Sequence, residues 1–250
     1  MKIIYEDKDI LVVDKPAGMV VDEGAGRERE TVVSWLLQKY PEMAQLAWPI
    51  EAQIANRKSQ IEEKRIGLVH RLDKDTSGLL VIAKTPKSQK SLMSQWKGRK
   101  VEKEYIALVF GKVEPKRGRI ELPIGRAPIQ RQKMAAISGG REAITEFEVL
   151  SYYKLSAISY KLEFSLLKVR ILTGRTHQIR VHLAKIGYPV MGDFVYGNKS
   201  SIKASKEIGL IRQFLHASKL SFTHPTTKKK LTFESPLPED LQIIISHLQI

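Results

Sequence analysis

Apolar positions along this chain fall into short runs whose spacing shifts between the two-residue period of strands and the roughly 3.6-residue period of helices. From Ile3 to Asp14 the alternation is imperfect and rich in Ile and Val, which predicts strands around a turn at Glu6-Asp7-Lys8-Asp9. Lys15-Pro16-Ala17-Gly18 breaks the pattern. Thr31 to Tyr40 reads as a short helix, apolar at Val32, Val33, Leu36 and Leu37 and stopped by Pro41. Glu42 to Arg65 is poorly patterned and reads as a loop with some helix. Ile66 to Val69 and Leu79 to Ala83 read as strands flanking the polar string HRLDKDTSG. Thr85 as N-cap and Pro86 at the first helical position open a helix that closes at Lys97-Gly98-Arg99-Lys100.

Beyond Lys103 extended patterns dominate. Glu104 to Phe110, Ala143 to Leu150, Lys161 to Thr173, Lys219 to Thr223 and Leu231 to Glu234 read as strands. In the long one Leu162, Phe164 and Leu166 share a phase that Val169 and Ile171 do not, so a bulge or bend is expected near Leu167. One helix interrupts, Thr176 to Ile186, with Thr176 as its cap and Gly187 suited to its end. A last helix follows Pro238-Glu239-Asp240. There is no internal repeat, low-complexity tract or linker. The expected class is α+β with a large, mostly antiparallel sheet.

Composition alters this picture in two places. The chain has 250 residues and no cysteine, which excludes disulfides, cysteine-based zinc sites and a cysteine nucleophile, and makes a reducing cytoplasm the expected setting. The opening MKIIYEDKDILVVDKPAG carries charges through its apolar stretch and does not read as a signal peptide. No run approaches the ~18 apolar residues of a membrane helix. Charge matters more. Lys and Arg number 42 against 27 Asp and Glu, a formal net of +15, so a polyanion such as RNA or DNA is the expected partner. An anionic membrane is the other reading, and no long basic amphipathic helix favours it. Basic stretches at Lys97 to Lys103, Lys116 to Arg119, Arg126 to Lys133 and Lys228 to Lys230 could follow a phosphate backbone.

Two strings are dense in reactive groups. His70-Arg71-Leu72-Asp73-Lys74-Asp75-Thr76-Ser77-Gly78 lies between two apolar runs, where a plain turn needs only Gly and a few polar residues. A solvated charged turn and a Mg²⁺ site built on Asp73 and Asp75 are both open readings. Cations at Arg71 and Lys74 compete with a metal for the field of Asp73. The second string is Thr173-Gly174-Arg175-Thr176-His177-Gln178-Ile179-Arg180-Val181-His182. Arginines at a helix N-terminus are unfavourable by themselves and make sense if a carboxylate or phosphate arrives there. His177 and His182 are five apart and share a helix face poorly, which disfavours a histidine metal pair. Tyr105, in a strand, reads on its own as core filler.

Together these strings resemble the RluA family of pseudouridine synthases. HRLDKDTSG resembles its catalytic motif, with the aspartate at Asp73. KEYIALVFG resembles its second motif, with the tyrosine at Tyr105, and LTGRTHQIRVHLAKIGYPVMGDFVYG its third. The opening YEDKDILVVDKPAG and the closing LHASKLSFTHPTTKKKLTFESPLPED match in family order. The chain differs at Asp22-Glu23-Gly24-Ala25, where relatives often carry a histidine and proline, and over Pro41 to Arg65.

The resemblance implies a pseudouridine synthase fold: a large mixed sheet flanked by helices, with a basic cleft. It also implies one catalytic domain over residues 1–250 with no S4 RNA-binding domain ahead of it. The expected activity is isomerisation of uridine to pseudouridine in structured ribosomal or transfer RNA, by a monomer that needs no cofactor or metal. Asp73 is the expected nucleophile, Arg180 its ion-pair partner, and Tyr105 the group lying against the uracil. A stacked uridine must be flipped out to react, and Arg71 is the expected side chain to fill the space left behind. His70, Arg175 and His177 are expected to contact RNA. An inactive RNA-binding module of the same fold is the alternative, and a Mg²⁺-dependent nuclease a third reading.

Overall fold

The computed structural model describes residues 1–22, 30–48, 66–130, 132–157 and 160–249, side chains at 156–161 excepted. Most of the expected loop before Ile66, the residues after Asp22 and Arg131 in one basic stretch therefore lie outside the described residues. The chain divides into two compact units, Met1–Val101 with Ser221–Phe233, and Glu102–Leu220 with Glu234–Ile250.

In the first unit β1 (Lys2–Glu6), β2 (Ile10–Lys15) and β3 (Ser77–Ala83) form an antiparallel run in which Ile10 pairs with Ala83 and Lys15 with Gly78. Asp7 makes the first turn, its Oδ1 accepting the N–H groups of Asp9 and Ile10, both at 2.8 Å. Ile10, Leu11, Val12 and Val13 are all fully buried, as is nearly all of β3. Strands covered on both faces read as continuous apolar runs, which is why the alternation at the start of the chain is imperfect. Helix α1 (Val32–Lys39) is capped by Thr31 in a capping box with Ser34. A short 3₁₀ turn, Pro41–Gln45, follows. Helix α2 (Pro86–Lys97) begins as expected, with Thr85 accepting from Ser88 N–H and Pro86 in the first turn.

The expected strand at Ile66 to Val69 does not form. Gly67 has φ +68°, and a Cβ there would meet Ala83 O at 2.4 Å, so the backbone leaves the extended region and keeps only a single bridge, Leu68 to Ile82.

In the second unit β4 (Glu102–Phe110), β5 (Arg117–Glu121), β8 (Ile144–Ala157) and β9 (Tyr160–Ile171) lie in the order β4-β9-β8-β5, every pair antiparallel. A small hairpin pairs β6 (Ile124–Arg126) with β7 (Met134–Ala136). The irregularity expected near Leu167 is present, but the extra residue is Leu150 on the partner strand. Val149 pairs with Leu167, Ser151 with Leu166, and Leu150 points outward. Helices α3 (Gln178–Lys185) and α4 (Lys199–Glu207) follow. In chain order come β10 (Leu215–Thr223), whose residues from Ser221 on are counted with the first unit, β11 (Lys230–Glu234), which pairs with it and is counted there up to Phe233, and α5 (Glu239–Ser246) of the second unit. Phe164, Phe214, Leu108 and Met191 are fully buried in this unit's core, with Leu241 of α5. The expected α+β class with a large, mostly antiparallel sheet is the fold observed. No helix among the described residues is long and apolar enough to cross a membrane.

Candidate functional site

The string His70 to Gly78 is held to the first unit along its length. Leu72, 4% exposed, anchors it in the core. Thr76 N–H donates to Asp73 O at 3.1 Å, closing a tight turn, and Thr76 and Ser77 are buried. The carbonyl of Lys74 accepts from Gly18 N–H at 3.0 Å and from Lys15 Nζ at 2.9 Å. Lys15 is wholly buried, and its ammonium also donates to Pro16 O and Met19 O at 2.8 and 2.9 Å. That is one carbonyl for each of the three N–H groups of the cation. Sequence pattern alone does not single out Lys15. The available clue was a lysine ending an otherwise apolar strand.

Within this framework Asp73 is half-buried. The His70 ring stacks on Trp96 with centroids 4.8 Å apart, and its Nε2 accepts from Val81 N–H at 3.1 Å. An accepting Nε2 places the proton of the neutral ring on Nδ1. Arg71 and Lys74 are the exposed residues of the loop, and Arg71 has Asp22 in ionic contact at 3.4 Å.

In the second unit the string Thr173 to His182 is organised by Gln178. Its Oε1 accepts from Thr173 Oγ1 at 2.7 Å and from Arg175 N–H at 3.0 Å. Its Nε2 donates to Ile144 O at 2.9 Å and Thr145 Oγ1 at 3.0 Å. The expected cap at Thr176 is not made, because α3 starts two residues later. His177 takes the N-cap position with φ 55° and no side-chain cap bond. A side chain in the left-handed region is uncommon and needs support. Here Tyr196 supplies it, its hydroxyl 2.7 Å from His177 Nδ1. The C-terminus is as expected. Gly187 at φ +92° gives a Schellman ending, Gly187 N–H donating to Ala184 O and Tyr188 N–H to Leu183 O.

Arg180 is 5% exposed. Its Nε and Nη2 donate to the two oxygens of Asp193 at 2.7 and 3.0 Å, and its guanidinium lies 5.1 Å over the Tyr196 ring. Asp193 Oδ1 further accepts Val195 N–H at 2.9 Å and Tyr196 N–H at 3.0 Å. The cation expected opposite Asp73 is therefore held in a bidentate pair by Asp193, a residue that sequence pattern does not single out. Tyr105 is 7% exposed on β4 opposite Val169, and Arg175 Nε donates to Glu142 O at 2.8 Å.

His182 is fully buried, bonded through Nδ1 to Thr145 Oγ1 and through Nε2 to Leu122 O, both at 2.9 Å. Burial pushes its pKa down, outweighing the hydrogen bond to Leu122, so the neutral ring is the folded form. In the unfolded chain the ring returns to about 6.5. Stability is then complete above that value and is lost as pH falls through the lowered folded value. The urea midpoint should drop between about pH 7.5 and 5.5, and His182→Gln should flatten that part of the curve. An unchanged pH slope in the variant would show that His182 does not carry this dependence.

Asp7, Asp9 and His224 come close enough for their ligand atoms to share an ion. Their hydrogen bonds oppose that use. His224 Nδ1 accepts from Thr226 and Thr227 N–H, at 3.2 and 3.0 Å, so Nε2 carries the proton and donates to Asp7 Oδ2 at 2.8 Å. Burial works to raise the Asp7 pKa, but the N–H groups of Ile10 and Asp9, the Tyr5 hydroxyl and His224 outweigh it and hold it low. The cluster is a hydrogen-bonded brace for the first turn. The basic stretch at Lys116 to Arg119 is also occupied. Arg117 pairs with Glu148 of β8, which Lys168 reaches at 2.6 Å, and Arg119 bonds Glu146 at 3.0 Å as well as Glu121. These strand arginines meet carboxylates of the neighbouring β8, and Arg119 also meets Glu121 of its own strand.

Comparison with known proteins bears on both strings. The family described as RNA pseudouridylate synthase matches residues 9–185. Ribosomal large subunit pseudouridine synthase D of Nitrosomonas europaea is 41% identical over 251 residues, covering 100% of this chain and 65% of its own length. The chain thus spans slightly less than two thirds of that relative. The protein of the same name from Pseudomonas aeruginosa is 40% identical over 256 residues, covering 100% of this chain and 72% of its own length. Among solved structures, human RNA pseudouridylate synthase domain containing 1 superposes with a TM-score of 0.72 at 26% identity, covering 97% of this chain and 86% of that one.

Proposed function

We propose, for a chain that belongs to the RNA pseudouridylate synthase family, that it isomerises uridine to pseudouridine in RNA with Asp73 as nucleophile. The observation that carries this reading is the HRLDKDTSG loop. A carboxylate is set on a turn whose backbone is fixed by Leu72, Thr76, Lys74 O and the buried Lys15, with an exposed arginine two residues before it. A fixed turn that aims a partly desolvated carboxylate is what nucleophilic attack at a sugar or base carbon requires. A merely solvated turn needs no buried lysine beneath it.

In this reading a transient bond from the Asp73 carboxylate to the reacting carbon forms and breaks again, the uracil N1–C1′ bond breaks, the base turns while held, and a C5–C1′ bond forms. The proton on C5 leaves and N1 gains one, so atoms balance with no oxidant, reductant or group donor. Arg180, positioned by Asp193, supplies fixed positive charge for the nucleophile. Tyr105 lies against the uracil and helps to remove the C5 proton. Arg71 stacks into the space left by the flipped base. His70 contacts the RNA with a ring whose orientation is set by Trp96 and Val81 N–H. The names of the two bacterial relatives point to large-subunit ribosomal RNA as substrate.

The test is conversion of uridine in a large-subunit ribosomal RNA transcript by the purified protein, with pseudouridine mapped by position. Tight binding without any conversion would favour an RNA-binding module instead. Affinity should also fall steeply with salt, by roughly 0.7 log units per log unit of salt for each single-strand phosphate contacted. A flat response between low and moderate salt would count against the +15 charge acting on phosphates.

A further inference from the structure

One cation beside the candidate site is unused by the scheme above. Lys103 stands one residue before the Glu104–Arg170 pair on β4, next to the end of β9 from which the chain runs on to Arg175. Side chains alternate along a strand, so Lys103 shares a face with Tyr105, two residues on, while Glu102 and Glu104 take the other. The behaviour of Lys219 agrees. Its pKa is raised first by its bond to Glu234 and by that carboxylate's charge, then by Glu104 and, more weakly, Glu102.

On the Tyr105 face Lys103 is half-buried. Among the described residues no hydrogen bond or ion pair receives its ammonium. The charged group that reaches it is another cation, Arg175. Burial first and Arg175 second push the Lys103 ammonium down to about 8. Arg175 is itself fixed, through Nε to Glu142 O and through its backbone N–H to Gln178. The N-terminus of α3, which adds partial positive charge, begins three residues after it. A desolvated ammonium beside a guanidinium is a costly arrangement that an arriving anion relieves.

We infer that Lys103 and Arg175 together bind a backbone phosphate of the RNA, holding the strand beside Tyr105. This rests on the RNA-modifying reading and adds a specific contact to it. The chemistry recognised is a phosphate oxyanion, and free inorganic phosphate is the rival source.

The experiment measures affinity for the same ribosomal RNA transcript across a salt series, for the wild type, Lys103→Met and Lys103→Arg. Lys103→Met should weaken binding about tenfold. It should also make the log–log salt slope shallower by roughly 0.7, the share of one phosphate contact. Lys103→Arg should keep both. The loss should fall on KM, with single-turnover kcat little changed. Wild-type affinity should also weaken between about pH 7 and 9 as the ammonium deprotonates, and Lys103→Arg should remove that dependence.

Unchanged affinity and salt slope in Lys103→Met overturns the contact. If Lys103→Met does not fold, a wild-type affinity that is flat across the same pH range overturns it instead. Protection of the fold by millimolar inorganic phosphate, with RNA affinity unaltered by either variant, assigns the pair to the free ion and also overturns it. A wild type that binds RNA with this pH and salt dependence but converts no uridine sinks the isomerase reading and leaves the contact standing.

Discussion

Asp73→Asn is expected to abolish uridine conversion while leaving the fold and RNA affinity nearly intact, and Asp75→Asn is not. Thr76 N–H ties the main chain of Asp73 into its turn, and asparagine keeps that bond, the side-chain volume and most hydrogen bonding. What it lacks is a carboxylate able to attack. The loss in single-turnover rate should be ~10⁴-fold or more, the scale at which an enzyme without its nucleophile retains only binding effects. Asp75 sits two residues away in the same loop and shares its charge environment. A loop that merely supplies negative charge, or holds a metal, predicts similar losses from both changes. Substantial conversion by Asp73→Asn, or equal collapse in the two variants, would sink the nucleophile assignment.

The second large effect concerns Arg180. Removing one partner of a buried ion pair leaves the other charge uncompensated, at about 3–5 kcal/mol. Arg180→Met and Asp193→Leu should each lose stability on that scale and most activity, because the pair is almost wholly buried. Replacing both partners with apolar side chains should recover much of the stability. Recovery is incomplete, since Val195 and Tyr196 N–H also lose their acceptor. The double variant should stay inactive if the guanidinium serves the reaction and regain activity if the pair only holds the fold together. Denaturant midpoints and single-turnover rates on the three proteins separate the two roles. Arg175→Met should be mild on turnover by comparison, because that side chain is only partly buried.

Local chemistry was legible wherever one residue decides the backbone. Thr85 with Pro86 starts α2 and Gly187 ends α3 as their sequence positions indicate. The slip near Leu167 marked a real bulge, although the pattern of one strand could not tell which partner carries the extra residue. Misreadings came where distant groups decide. Thr176 looked like a cap, but Gln178 bonds across to β8 and pulls the helix start to His177. Ile66 to Val69 looked extended, but the close approach of Ala83 O to Gly67 bends it. Helix α4 packs through Ser201, Ala204 and Ser205, small residues that an apolar-stripe search passes over. Both chemical strings were visible from their density of charge. Lys15 and Asp193 were not, since each acts through a partner remote in sequence: a backbone carbonyl for one, a guanidinium for the other.

The knot of carbonyls around Lys15 sets where motion can occur. Lys74 O is fixed from a lysine 59 residues earlier in the chain, and the same ammonium holds Pro16 and Met19. Opening either loop would strand a buried cation away from water, so the two loops exchange and unfold as one cooperative block rather than fray separately. Amide protons of Gly18 and Thr76 should then exchange at matched, slow rates. If Asp73 is the nucleophile proposed above, it is carried on such a block and does not travel to its target. On that reading the large displacement falls to the nucleic acid, whose base would swing out to reach a carboxylate that stays in place.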